Sequence, residues 1–241
     1  MGSGLGLTIA MPAYNEAENI ESMLEDAVRA AESLAPDFEI VVVDDGSKDG
    51  TADAVRRSAA SDPRIRLVEH ERNQGYGAAV FSGLTAATKE WVFFTDSDRQ
   101  FVLEEIAHLL EHTGAADLVV GYRAPRQDPP LRLLYGWGWN LVVSLLFGYT
   151  VRDIDCAFKL MRRDVVQRLA PLVHSRGATF SAEWMVRARR LGYRIVEVPV
   201  THRPRQAGNP TGARLHVVWR AFRELARFRL RLWREGAPTR P

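Results

Sequence analysis

The chain has 241 residues, 46% hydrophobic and 26% charged. That length gives one large domain or two small ones and a core needing no staples, and the composition excludes disorder, collagen and coiled coil. The lone cysteine, Cys156, excludes an internal disulfide and any multi-cysteine zinc site, and fits a reducing compartment. Net charge is +2, but residues 201–241 hold ten arginines against Glu224 and Glu235, a net +8 that leaves −6 on the other 200. A basic C-terminal stretch on a slightly acidic body points to an anionic surface or ligand. Only Lys48, Lys89 and Lys159 are lysines among 32 basic residues; arginine suits planar phosphate recognition, with a general arginine bias as the competing reading. Met1–Leu7 carries no basic n-region, so no signal peptide is expected.

In chain order, short apolar runs at Leu5–Met11, Phe38–Val43, Ile65–Val68, Trp91–Thr95 and Leu118–Val120 read as strands. Helical periods separate them. Ile20, Met23, Leu24, Ala27, Ala31 and Leu34 share one face, a helix starts at Asp49-Gly50-Thr51, and amphipathic stretches run over 77–87 and 102–112. This alternation predicts a mostly parallel sheet with helices on both faces. Ligands in such sheets bind at the carboxyl ends of the strands.

The polar residues gather there. The first strand is followed by Pro12-Ala13-Tyr14-Asn15-Glu16 and the second by Asp44-Asp45-Gly46-Ser47. The third leads to Asn73-Gln74-Gly75-Tyr76-Gly77 and the fourth to Asp96-Ser97-Asp98-Arg99-Gln100. Each alone reads as an ordinary turn or helix cap; four at successive strand ends read as a site. The first turn has no glycine, which disfavours a GxGxxG dinucleotide loop, and no Walker A pattern occurs. A diphosphate would then be neutralised by a hard cation, Mg²⁺ or Mn²⁺, on Asp96 and Asp98. Alternate residues of an extended segment face opposite ways, so a turn must bend this one before both carboxylates serve.

PAYNE, VVVDDGSxDGT, NxGxGxA and DxDxQF in this order resemble glycosyltransferase family 2, which implies a GT-A fold. Asp153-Ile-Asp155-Cys-Ala-Phe158-Lys159, Phe180-Ser-Ala-Glu183-Trp184, Glu197-Val-Pro199-Val and His202-Arg-Pro-Arg205 look like its dolichyl-phosphate or polyprenyl-phosphate sugar transferase branch. The resemblance spans residues 5–212. It implies that Pro12, Ala13, Tyr14, Glu16, Asp44 and Asp45 hold the base and ribose of a UDP- or GDP-linked sugar, with Gly75 in the same rim. Asp96 and Asp98 would bind metal and diphosphate beside Gln100, and the transfer would be inverting. Arg99 departs from the family pattern; it either contacts phosphate or points to solvent.

Sugar transfer needs negative charge stabilised on the leaving diphosphate. A hydroxyl acceptor also needs a general base, whereas a lipid phosphate is already ionised (second pKa about 6) and needs cations instead. Arg123, Arg132, Arg203 and Arg205 are the acceptor-side candidates. Asp155 and Glu183 would orient those arginines or the sugar hydroxyls, or serve as the base for an alcohol acceptor, and with Asp98 they form the expected catalytic set. A family member acting on a soluble or saccharide hydroxyl is the alternative reading.

Residues 133–151 carry no charge, nearly the length of a membrane span of about 20 residues, but site motifs on both sides of the segment argue against crossing. A buried or interfacial helix is expected, with Trp137, Trp139 and Tyr149 as interface anchors. Residues 215–233 form a second amphipathic helix, with Leu215, Val218, Trp219, Phe222, Leu225, Ala226, Leu232 and Trp233 on one side and Arg220, Arg223, Arg227, Arg231 and Arg234 recurring beside them. Such a helix either lies on an anionic membrane or packs on the body with a solvated arginine face. The expectation is a catalytic domain over 1–212 and a C-terminal helix and tail over 213–241, cytoplasmic and peripheral on the membrane. No nucleic-acid motif is present, the histidines show no metal spacing, and neither the sugar, the base nor the oligomeric state is legible.

Overall fold

β1 (Gly6–Ala13) is buried at all eight positions, as its unbroken apolar run requires of a strand covered on both faces. It pairs in parallel with β2 (Asp37–Asp44) and β4 (Trp91–Thr95), and β3 (Ile65–Glu69) extends the parallel set beyond β2. The computed structural model describes residues 5–125, 130–204 and 215–236, without the side chains of 130–132 and 215–219. Helices α1 (Ile20–Leu34), α2 (Thr51–Ser61) and α3 (Tyr76–Ala86) connect these strands. Ile20, Met23, Leu24, Ala27 and Ala31 of α1 are buried, as the helical spacing predicts.

After β4, a 3-10 turn at Leu103–Glu105 runs into α4 (Ile106–Leu110), shorter than the 102–112 stretch read from sequence. Then follow β5 (Leu118–Arg123), α5 (Pro130–Phe147), β6 (Phe158–Arg162), α6 (Arg163–Leu169), α7 (Phe180–Arg190), β7 (Ile195–Val200) and α8 (Leu215–Glu235). The sheet order is β3-β2-β1-β4-β6-β5-β7. β6 alone runs antiparallel to both of its neighbours, while β5 and β7 pair in parallel. The mostly parallel sheet is as expected, but β6 and β7 do not announce themselves in sequence. Lys159 interrupts the apolar pattern of one, and Pro199 that of the other, which the edge position of β7 tolerates.

α5 spans 130–147 rather than 133–151. Val143 is buried, while Leu134, Tyr135, Trp137, Leu141 and Leu145 are exposed, Trp137 at 63% and Leu145 at 76%. Among the described residues no helix is long and apolar enough to cross a membrane.

α8 corrects the sequence reading of its inner face. Ala221, Leu225, Phe228 and Leu232, spaced i, +4, +7 and +11, are buried, and the last three belong to the main core, with Phe228 stacked on Phe147 of α5 at 4.9 Å. Fully burying a side chain such as Leu225 or Phe228 contributes about 1.5–3 kcal/mol. Phe222 and Trp233, expected to share one apolar side with Leu225 and Leu232, are instead exposed, Trp233 at 75%. The helix carries two apolar stripes, and the one facing Phe147 decides which is inside.

Candidate active site

The loops after β1 and β2 are clasped to each other. Asn15 N donates to Ser47 Oγ (2.9 Å), Lys48 N to Asn15 Oδ1 (2.9 Å), Glu16 N to Thr51 Oγ1 (2.9 Å) and Ala17 N to Asp49 Oδ2 (3.1 Å). Asn15 adopts φ +55°, a left-handed conformation that asparagine tolerates. At Gly46 (φ +72°) a Cβ would lie 2.6 Å from the Arg72 carbonyl carbon, so only glycine lets this loop approach the next one.

The paired aspartates divide their work. Asp45 Oδ1 accepts from Gln74 N (2.8 Å) and contacts His70 Nδ1 (2.7 Å), and its Oδ2 accepts from Gly75 N (2.8 Å). These three contacts hold the β3–α3 loop against the end of β2, with Gly75 contributing its amide. Asp44 differs. Its Oδ2 accepts from Ser47 N (3.0 Å), but its buried Oδ1 has no hydrogen-bond partner among the described residues. A buried acceptor left open at a strand end has the chemistry to receive a ligand N–H or O–H. Pro12 and Ala13 line the same strand end, Tyr14 stands exposed beside them, and Glu16 accepts from Asn19 Nδ2 at 2.7 Å.

The turn demanded between Asp96 and Asp98 is present. Ser97 Oγ donates inward to Pro12 O (2.8 Å), and Arg99 turns the chain with φ +59°. Arg99 pairs with Asp26 of α1 (2.9 Å) rather than standing free in solvent. Asp96 Oδ1 accepts from Tyr76 Oη (2.9 Å). Burial, and next the Asp98 charge, raise its carboxyl to about 7 against the pull of Tyr76, Lys159 and Arg123. Two hard carboxylates that repel each other in a partly buried bend fit a divalent cation such as Mg²⁺ or Mn²⁺. Among the described residues no group of three or more His, Cys, Asp or Glu side chains forms a self-sufficient metal cage. Substrate oxygens and water would complete the shell.

Positive charge lies next to this pair. Lys159 on β6 is buried, with Nζ bonded to Cys156 O. Burial holds its pKa below the ordinary lysine value against the attraction of Cys156, Asp155, Asp153 and Asp96. Arg123, at the end of β5, grips Asp153 bidentately (2.7 Å for both Nε and Nη2). Asp155 is exposed, and its charge acts on both Tyr76 and Lys159. Sequence reasoning missed Tyr76, Lys159 and Asp153 as site residues. All three stood inside the quoted motifs, but only the pairing of β4 with β6 sets Lys159 opposite Phe94.

Gln100 does not reach toward a ligand through its amide nitrogen. Its Nε2 donates to Arg203 O (2.9 Å), its N donates to Asp98 Oδ1 (3.2 Å), and Arg203 N donates to Gln100 O (2.7 Å). This brings the exposed Arg203 to the aspartate bend. His202, next in chain, is buried with its ring 5.1 Å from Phe101. Arg205 and the side chain of Arg132 lie outside the described residues.

Glu183 lies away from solvent. It is fully buried on α7 and accepts from Ser175 N (2.8 Å), Ser175 Oγ (2.6 Å), Arg187 Nε (3.1 Å) and Arg231 Nη2 (3.4 Å). An internal ion-pair network occupies the carboxylate and ties α7 to the 175 loop and to α8.

The model of the family described as glycosyl transferase family 2 matches residues 8–170. The chain belongs to glycosyltransferase family 2. Among its relatives, a dolichyl-phosphate beta-glucosyltransferase of Trichomonas vaginalis is 33% identical over 80% of this chain. The chain spans 62% of that relative's length. An undecaprenyl-phosphate mannosyltransferase of Micrococcus luteus is 31% identical, covering 84% of this chain and 85% of the relative. The polyprenyl-phosphate branch read from the later motifs is therefore the one these relatives represent. The family 2 fold is matched by glucosyl-3-phosphoglycerate synthase from Mycobacterium tuberculosis in complex with Mn²⁺, UDP-glucose and phosphoglyceric acid. Its TM-score is 0.72 at 21% identity, covering 94% of this chain and 80% of that one. The sheet and helices described above are thus a GT-A fold.

Proposed function

We propose that this chain transfers a glucose- or mannose-type sugar from a UDP- or GDP-linked donor to a polyprenyl phosphate, with inversion. The observation that carries the reading is the Asp96–Asp98 bend, flanked by Lys159, Arg123 and Arg203, at the carboxyl ends of the parallel strands. The names of the two relatives support the lipid phosphate acceptor.

Asp96 and Asp98 would hold Mg²⁺ or Mn²⁺, which when bound neutralises charge on the departing diphosphate. The open Oδ1 of Asp44 receives a hydrogen bond from the nucleoside, and Asp45 keeps the β3–α3 loop in place beneath it. Lys159 counterbalances the carboxylates from below, and Arg123, held rigid by Asp153, offers fixed positive charge at the acceptor side. Arg203, with Arg132 and Arg205 as further candidates, draws the acceptor phosphate toward the donor. That phosphate is ionised near neutral pH (second pKa about 6) and attacks without a general base. Asp155, exposed at the mouth, orients sugar hydroxyls, or takes the proton if the acceptor is an alcohol.

The exposed aromatic side of α5 and the arginine-flanked Phe222 and Trp233 of α8 support peripheral contact with an anionic membrane; the cytoplasmic face is part of the proposal alone. The test is a panel of UDP- and GDP-sugars with Mg²⁺ or Mn²⁺, scoring label transferred to extractable polyprenyl phosphate and, separately, to a soluble sugar alcohol. Transfer to the alcohol alone would favour the hydroxyl-acceptor reading.

A further inference from the structure

The basic C-terminal stretch contains only two acids, Glu224 and Glu235, and both bond to residues of the body. Glu235 pairs with Arg187 Nη1 (2.9 Å) and Nη2 (3.0 Å), and Arg187 in turn pairs with Glu183. Glu224 Oε2 accepts from Thr179 Oγ1 (2.5 Å), and its carboxylate lies so close over Gly177 that a Cβ there would sit 3.0 Å from Oε1. Residues 175–179 are therefore held at both ends by carboxylates tied to α8: Ser175 by Glu183, which Arg231 touches, and Thr179 by Glu224.

The other side of this short segment bears on the site. At Gly77 a Cβ would lie 2.6 Å from Gly177 O and 2.7 Å from Phe180 Cβ, and at Gly75 it would meet Arg176 O at 3.4 Å. The first turn of α3 is packed directly against the 175–179 backbone. Between these two glycines stands Tyr76, whose hydroxyl donates to Asp96. An unbroken chain of contacts thus runs from Glu224 through Thr179 and Gly177 to Tyr76 and Asp96.

We infer that Glu224 is a positioning residue: its bond to Thr179 clamps residues 175–179 onto the start of α3 and so sets Tyr76 against the Asp96 carboxylate. α8 would then help to assemble the metal and donor end of the site, in addition to any contact it makes with a membrane. The inference deepens the proposed function and rests on it. A charge-assisted bond of this kind is fixed by geometry, so its loss loosens what it holds.

The test measures Mn²⁺ and nucleotide affinity by titration, with donor KM and kcat, for full-length wild type, Glu224→Ala, Glu224→Gln, Thr179→Val and Thr179→Ser. Glu224→Ala and Thr179→Val are expected to weaken Mn²⁺ binding and raise donor KM by roughly tenfold, the scale of one hydrogen bond to a charged group, with kcat changed less. Glu224→Gln and Thr179→Ser, which keep an acceptor and a donor, should restore most of the affinity. In a Tyr76→Phe background Glu224→Ala should add little, because the effect passes through the tyrosine. Folded Glu224→Ala protein with wild-type Mn²⁺ affinity and donor KM would overturn the clamp, as would full additivity with Tyr76→Phe. If Glu224→Ala fails to fold, Thr179→Val against Thr179→Ser decides the matter by the same readouts. Wild type that binds neither Mn²⁺ nor nucleotide would instead sink the proposed function, and the clamp with it.

Discussion

Around β1 to β4, polar groups at neighbouring strand ends bond to one another: Asn15 to the Ser47–Lys48 turn, Asp45 to the Gln74–Gly75 amides, Ser97 to Pro12. Around α5 and α8 the pattern reverses, with Trp137, Leu145 and Trp233 turned outward and the polar groups Glu183, Arg187 and Glu224 turned in. The first region is rigid where it would meet a small charged donor, because fixed dipoles stabilise charge best when they need no rearrangement. The second keeps apolar area uncovered, as suits contact with an extended apolar partner.

The largest test of this contrast is Asp98→Asn, which removes one of the two carboxylates meant for the metal. Loss of a main electrostatic element costs about 10²–10³ in kcat, and a loss at least that large is expected in label transferred to lipid. Little change would remove the bend from the donor region. Next comes Asp44→Ala. A hydrogen bond to a charged group contributes about 1.5–3 kcal/mol, so nucleotide affinity by calorimetry should fall about 10- to 100-fold. An equal loss at Asp45→Ala accompanied by a lower melting temperature, against an unchanged melting temperature at Asp44→Ala, would sharpen the division between holding the ligand and holding the loop.

Smaller effects belong to the outward region. Trp137→Glu with Trp233→Glu should release the protein from acidic vesicles in flotation, by roughly 1–3 kcal/mol of buried aromatic area. Nucleotide affinity should stay as in wild type. A matching drop in nucleotide affinity would erase the separation of the two regions. The smallest signal concerns Cys156. Burial, and next the Asp153 charge, push its thiol up to about 12, so the folded protein at pH 8 holds almost no thiolate there. Maleimide labelling should be negligible until denaturant is added; rapid labelling of the native chain would show that the β5–β6 side opens.

The donor region was legible because its chemistry is local. PAYNE, DDGS, NQGYG and DSD each follow an apolar strand, and neighbouring parallel strands carry their ends to one rim. Roles inside those motifs were not legible. Asp44 and Asp45 are identical in type and adjacent, and only the His70, Gln74 and Gly75 contacts assign one to the loop and leave the other open. Glu183 and Gln100 were read as site residues from the motifs that contain them; of their partners, Arg187 is one turn along the same helix, while Ser175 lies in the preceding loop and Arg203 in a distant segment.

By itself, the sequence determined the family, the parallel β/α half, the aspartate bend and the uneven charge of the chain, since each depends on residues near one another or on periodic spacing. Only the tertiary structure decided that β6 runs antiparallel beside β4 and so brings Lys159 under the aspartates. It also decided which stripe of α8 is buried, and that the two acids of the arginine-rich end face the body. Those outcomes depend on which distant surface is available to pack against, and neither local propensity nor hydrophobic period carries that information.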